Sequence, residues 1–138
     1  MDIAFETGLQ EFNLAGKVTV QFNPADVTFA EKIYTAFKAL EDKQDGYRKE
    51  IEAVKEPIEV FKIAHRLDTE MRDILNGLFG KDIVTPLIGD CNVYALADGL
   101  PIWANILMAV IDVMDESVSA ATKRSKQRID KYTKKYHR

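Results

Sequence analysis

The side chains best suited to catalysis are few in this sequence, and their spacing favours no particular reaction. The 138 residues include two histidines, His65 and His137, and one cysteine, Cys91. Neither histidine has a second His or Cys nearby at the spacing of a zinc site. Cys91 stands among acidic and neutral residues, which do not favour a reactive thiolate, so we expect a half-buried residue at a turn. These residues predict no catalytic site.

Carboxylates are the remaining candidates for metal chemistry. Asp112, Asp115 and Glu116 cluster on the last predicted helix, where Asp112 and Glu116 share a face at i, i+4. Acidic residues on an exposed helix face are common, and no second set of ligands accompanies them. The sequence also lacks the calcium-loop pattern and the glycine-rich phosphate and dinucleotide motifs. We therefore predict a protein that is not an enzyme and uses no metal or cofactor.

The charge of the chain is unevenly distributed. Residues 123–138 hold eight basic residues and one acidic residue, which leaves 11 basic and 21 acidic residues in positions 1–122. This basic end fits three interpretations: a solvated helix end that complements the helix dipole, a surface for a second copy or another protein, or a nucleic-acid-binding tail. Tyr132 and Tyr136, spaced i, i+4 among the basic residues, suit either base stacking or protein contact.

Composition favours a soluble, cytoplasmic, single domain spanning residues 1–138. Hydrophobic residues make up 46% and charged residues 30% of the chain, which is ordinary for a folded protein. One cysteine excludes an internal disulfide. No apolar run reaches the roughly 18 residues of a membrane span, and the N-terminus does not read as a signal peptide.

Apolar spacing predicts a mainly α fold with a short N-terminal β-hairpin, arranged as a helical bundle with a long C-terminal helix. Alternation over residues 10–22, with Ala15 and Gly16 as a two-residue turn, predicts the hairpin. A helical body over residues 28–122 and a basic helical tail over 123–138 follow. Thr28 and Glu31 form a capping-box pattern that would open the first helix.

The first helix carries a heptad seam that includes Ile33, Phe37 and Leu40. Either an antiparallel hairpin within the chain or an intermolecular coiled coil would bury it. Pro57 suits the first position of a second helix, which runs to about Phe79 with Gly77 and Gly80 as candidate ends.

Glycine and proline mark the stretch between residues 80 and 100 as a connector. One or two helical turns are expected over residues 90–97. Pro101 then suits the first position of the last helix. Trp103 and Tyr94 are candidate interface anchors, although Trp103 lies in an apolar stretch typical of a core.

In this order, the elements resemble the short tail-assembly chaperone-type proteins of long-tailed bacteriophages and prophages of Gram-positive hosts. The resemblance covers residues 10–122 and consists of FNPAD at 22–26, Phe29, RDIL at 72–75, LFG at 78–80, LIGDCN at 87–92 and DGLP at 98–101. It implies a non-enzymatic protein of the host cytoplasm that self-associates. It also implies binding to the tape-measure and tail tube proteins during tail morphogenesis.

The family offers no binding motif that can be transferred, so we selected the candidate contacts from the residues themselves. These protein-binding candidates are Ile33, Phe37, Leu40 and Trp103 for apolar contact, and Lys123, Arg124, Lys126, Arg128, Lys131, Tyr132, Lys134 and Lys135 at the basic end. Two alternatives remain open: a nucleic-acid-associated helical protein that uses the basic tail, and a structural tail joining or completion protein.

Overall fold

A computed structural model describes the backbone of residues 1–136, together with all of their side chains except those of residues 121, 125, 128, 129 and 131–136. Its elements are β1 (Gln10–Leu14), β2 (Val18–Phe22), α1 (Val27–Glu52), α2 (Pro57–Phe79), α3 (Val84–Ile88), β3 (Leu96–Ala97), β4 (Leu100–Pro101) and α4 (Ile102–Tyr136). The described residues are mainly helical and include a two-stranded hairpin near the N-terminus, which confirms the expected mainly α fold.

The hairpin packs on the helices through one aromatic face. β1 and β2 are antiparallel, with Phe12 opposite Val20. The ring of Phe22 stacks on that of Phe12, with 4.4 Å between the ring centroids, and on that of Phe29 of α1, with 4.7 Å between the centroids. Because Leu14 pairs with Val18, the loop has three residues and not the expected two.

α1 begins earlier than the capping-box pattern predicted. Asp26 is extended and is the N-cap, and its Oδ1 accepts a hydrogen bond from the Thr28 backbone N–H at 2.9 Å. A turn positions it, because Asn23 Oδ1 accepts from the Ala25 N–H at 2.8 Å. The prediction of Thr28 as the cap is therefore wrong, since Asp26 already caps the helix.

α1 and α2 form the antiparallel hairpin that was one of the two expected hosts for the seam. Ile33 and Leu40 of α1 are fully buried in one core with Met71 of α2. Along the edge, Lys43 Nζ lies 3.3 Å from Glu70 Oε2. Pro57 is the first residue of α2 and Gly80, with φ 67°, is its C-cap, so these two predictions are confirmed.

The connector after α2 contains no helix over residues 90–97, so the expected helical turns there are wrong. The chain instead turns and forms the short pair of β3 and β4. Pro101 belongs to β4, and α4 starts one residue later. The backbone N–H of Trp103 donates to the Val93 carbonyl at 2.9 Å, so the connector satisfies one of the donors that a helix start leaves unpaired.

α4 runs antiparallel to α1 and continues past it. Near the start of α4, the rings of Trp103 and Phe37 pack edge to face with 5.1 Å between their centroids. Trp103 also donates a hydrogen bond from Nε1 to Gln44 Oε1 at 2.7 Å. Farther along, Val118 lies beside Val27 at the beginning of α1. The remaining residues, 119–136, are called the arm; at 1.5 Å per residue they extend about 27 Å. Every described side chain between positions 119 and 130 is exposed.

Candidate functional site

The apolar residues selected from the sequence as partner contacts lie in the core, which corrects that prediction. Ile33 and Leu40 are 0% exposed and Trp103 is 3% exposed. Phe37 is half-buried against the Trp103 ring. α2 and α4 of the same chain cover this seam, so these side chains are not presented to another protein. Tyr94 is half-buried, and its hydroxyl donates to the Ala64 carbonyl at 3.2 Å.

The basic candidates divide into those that the structure describes and those that it does not. Lys123, Arg124 and Lys126 are exposed on the arm, away from the core residues. The other predicted residues lie outside the described side chains: Arg128, Lys131, Tyr132, Lys134 and Lys135.

The side chains considered for catalysis or metal binding are dispersed. His65 is exposed on α2. Cys91 is exposed and not half-buried as expected, although its backbone carbonyl accepts a hydrogen bond from Arg72 of α2. Asp112, Asp115 and Glu116 are exposed on α4. Among the described residues, no group of three or more His, Cys, Asp or Glu side chains could hold a metal ion. No helix in that part of the chain is long and apolar enough to cross a membrane.

A polar stripe on α2, missed from the sequence, holds the connector in place. Arg72 donates from Nε to Asp68 Oδ2 at 2.8 Å and from Nη2 to the carbonyls of Gly89 and Cys91 at 2.7 and 2.6 Å. Asp68 Oδ1 accepts from the Val93 N–H at 2.7 Å. The opposite charges at i, i+4 were the available signal, but that spacing is typical of solvated helix faces as well.

Asn76 extends the stripe by one more turn and organises α3. Its Oδ1 accepts from the Ile83 N–H at 2.8 Å, and its Nδ2 donates to Asp82 Oδ1 at 3.1 Å. The Thr85 N–H also donates to Asp82 Oδ1 at 3.1 Å. Hydrogen bonds from Thr85, followed by the smaller one from Asn76, lower the pKa of Asp82 below its ordinary value of 3.8.

We expect the stabilising contribution of Asp82 to disappear in acid. Because the pKa of Asp82 is lower in the folded state, its contribution is fully present above pH 3.8 and is lost as the pH falls through the folded-state value. Urea unfolding across that range, with Asp82→Asn beside wild type, measures the effect. The difference between the two should shrink as the pH falls, whereas Asp90→Asn, in the exposed part of the connector, should track wild type. A constant difference would contradict this role.

Two grooves are the candidate binding surfaces. The α1–α2 groove, of about 420 Å³, is lined by Thr35, Ala36 and Ala39 on α1 and by Ile74, Gly77 and Leu78 on α2, and the charged residues Glu31 and Lys32 of α1 also line it. The α1–α4 groove, of about 100 Å³, is lined by Val27, Ala30 and Tyr34 on α1 and by Ile111, Met114 and Val118 on α4. Asp26 and Asp115 also line the second groove.

The α1–α2 groove is shaped to admit a helix. Ala36 and Ala39 on one side and Gly77 on the other keep its floor low, while Ile74 and Leu78 supply apolar walls. A Cβ added at Gly77 would meet no atom within 4 Å, so the groove is open there. Small residues of this kind let a second backbone approach closely. The surface therefore suits the apolar face of an amphipathic helix.

Comparison of the chain with protein-family models, with curated proteins and with solved structures finds no match.

Proposed function

We propose that this protein is a non-enzymatic assembly chaperone that binds the apolar face of a helical partner protein in the α1–α2 groove. The observation that carries the proposal is the open apolar floor between Ala36, Ala39 and Gly77. Helix-in-groove recognition places apolar side chains spaced i, i+3 or i+4, and i+7 in such a channel. No catalytic step is required of the chain.

The resemblance to phage tail-assembly proteins supplies the partner. A tape-measure protein is long and helical, and apolar stripes along it would aggregate unless they were covered. Many small copies of this chain, each holding one stretch of helix, would keep such a protein soluble until tail tube subunits surround it. The proposed setting is the host cytoplasm during tail morphogenesis.

Co-purification with the tape-measure and tail tube proteins of the same genome tests this function. Tagged wild-type protein, Gly77→Glu and Gly77→Ala are each co-expressed with those partners, and nuclease is added to the lysate. Gly77→Glu places a charge in the groove and should reduce recovery of the tape-measure protein at least about tenfold, since a buried unpaired charge costs more than 1.4 kcal/mol. Gly77→Ala, with one methyl group at the same position, is the matched control.

Both substitutions should stabilise α2, so a difference in binding between the two variants can be assigned to the groove. Alanine and glutamate both favour a helix over glycine, by up to about 1 kcal/mol, so loss of binding would not reflect loss of fold. Equal recovery with Gly77→Glu and Gly77→Ala would contradict the groove as the binding site. Failure of wild-type protein to recover the tape-measure protein would contradict the function itself.

A nucleic-acid-binding role is the second candidate, and the exposure of Lys123, Arg124 and Lys126 favours it. Binding through these residues would depend steeply on salt, with a log–log slope of about −0.9 for each phosphate neutralised. Truncation to residues 1–122 should then abolish retention of DNA or RNA. Recovery of nucleic acid without the tape-measure protein, released by moderate salt, would favour this role over the chaperone.

A further inference from the structure

Residues 1–6, called the strap, carry an apolar face that the structure leaves exposed. They form neither helix nor strand, and Ile3 and Phe5 are 83% and 77% exposed. The two apolar residues alternate along the strap with more polar positions, which include Asp2 and Glu6. Because successive side chains of an extended chain point to opposite sides, the apolar pair would share one face and the two carboxylates the other.

A single side chain attaches the end of the strap beside the α1–α4 groove. Asn23 donates from Nδ2 to the Thr7 carbonyl at 3.1 Å, and its Oδ1 accepts from the Ala25 N–H at 2.8 Å. Ala25 is one of the residues that line the groove. The backbone at Gly8 lies close to the same amide, because a Cβ added there would be 2.5 Å from Asn23 Nδ2. One amide group therefore separates the base of the strap from the groove.

The groove is apolar, uncovered and narrow. Val27, Tyr34 and Val118 line it and are exposed, although all three are large apolar or aromatic residues. Its volume of about 100 Å³ is smaller than the roughly 150 Å³ of a cavity that holds one benzene molecule. The groove therefore has room for single side chains of an extended segment and not for the face of a helix.

The strap has the length and the spacing that this groove requires. Val27 and Tyr34 lie seven residues apart on α1, which is about 11 Å along the helix axis. An extended chain advances about 3.3 Å per residue, so Phe5 lies about 7 Å and Ile3 about 13 Å from Thr7. Phe5 can therefore reach the end of the groove at Val27. Ile3, on the same face of the strap, can reach toward Tyr34.

We propose that the strap closes over the α1–α4 groove of its own chain, with Phe5 and Ile3 seated in the groove. Closure covers the exposed apolar side chains of both the strap and the groove, which favours it. Ordering the strap costs conformational entropy of similar size, so closure is reversible and a competing apolar segment could displace the strap. The groove shares no lining residue with the α1–α2 groove, so closure is independent of the function proposed above.

The charges beside the groove determine which face of the strap turns inward. Asp26 and Asp115 line the groove and give it an acidic rim. Asp2 and Glu6 would be repelled by these carboxylates and lose their hydration if they faced inward. The closed strap therefore directs its carboxylates to solvent and its apolar face to the groove.

Protection of an introduced tryptophan tests this closure in the full chain. Phe5→Trp keeps an aromatic side chain in the strap, and acrylamide quenching measures how freely solvent reaches its indole. Trp103 is buried and contributes the same protected background in every variant. The indole of Phe5→Trp should be quenched several-fold less than that of Phe61→Trp, which lies at an exposed site of α2.

Two substitutions at the start of α1 show whether the groove provides that protection. Val27→Glu places a carboxylate in the groove, whereas Thr28→Glu adds the same charge at the next position, outside the groove lining. Both sites are exposed in the first turn of α1, where an acidic residue stabilises a helix, so both variants should fold. Val27→Glu should raise the quenching of Phe5→Trp to that of Phe61→Trp, and Thr28→Glu should leave it low.

The dependence on protein concentration identifies the chain that supplies the strap. Closure within one chain predicts the same quenching at every concentration, whereas a strap from a second copy predicts protection that is lost on dilution. The proposal is overturned by quenching of Phe5→Trp as strong as that of Phe61→Trp, by protection that is lost on dilution, or by protection that survives Val27→Glu.

Discussion

Replacement of Arg72 with alanine is expected to lower the free energy of unfolding by about 3 kcal/mol, toward the lower end for a broken buried ion pair. The side chains of Asp68 and Arg72 are 11% and 16% exposed, so the remaining carboxylate would stay poorly solvated. The carbonyls of Gly89 and Cys91 would lose their donor as well. The connector should therefore loosen along with the loss of global stability.

Urea unfolding followed by the fluorescence of Trp103, the one tryptophan of the chain, measures this effect. Glu70→Ala is the control, because its partner Lys43 is in an exposed ion pair worth at most about 1 kcal/mol. Arg72→Lys separates charge from geometry, since lysine retains the charge but lacks the planar fork that reaches Asp68 and both carbonyls. Losses of equal size for Arg72→Ala and Glu70→Ala would contradict a structural role for the stripe.

The second large effect concerns Leu40, which the sequence presented as a partner contact. Because Leu40 is fully buried, Leu40→Ala removes core contacts and leaves a cavity. The expected loss is about 2–5 kcal/mol of unfolding free energy. Thermal and urea unfolding of the purified chain, with no partner present, are sufficient to measure it.

Phe61→Ala is the control for that prediction. Phe61 is 68% exposed on α2, so its replacement should change stability by no more than about 0.5 kcal/mol. A Leu40→Ala protein that unfolds like wild type but no longer binds its partner would restore the original hypothesis of an exposed seam. A destabilised protein that still binds at low temperature would confirm the core assignment.

The parts of the fold that were predicted correctly depend on local signals. The alternation of polar and apolar residues predicted the hairpin, and Pro57 and Gly80 indicated where α2 begins and ends. The prediction for residues 90–97 was wrong because their conformation depends on a hydrogen bond that Asp68 accepts and on one that Arg72 donates, and both residues lie some 20 positions earlier in the chain. No local sequence pattern within the connector indicates that Asp68 and Arg72 are its hydrogen-bond partners.

The candidate surfaces were harder to predict for a different reason. The regular spacing of apolar residues identifies the face of a helix that is buried. That spacing is the same whether the helix that covers the face belongs to the same chain or to another chain. Ile33 and Leu40 were therefore assigned correctly to a buried face and wrongly to a partner. Both grooves are formed by two helices together, so they became visible only once those helices were packed.

The hydrogen bond between Gln44 and Trp103 is one of the contacts that fix how far the arm projects from the body. Sliding α4 along α1 by one helical turn, about 5.4 Å, would separate these two groups. Leaving a buried donor or acceptor unpaired costs about 1–3 kcal/mol, so this pair opposes sliding in either direction, together with the packing of Trp103 on Phe37. The contacts of Trp103 with α1 therefore help to fix the length of helix that extends beyond Val118. Replacing Gln44 with an apolar residue would leave α4 in contact with α1 but would remove this hydrogen bond.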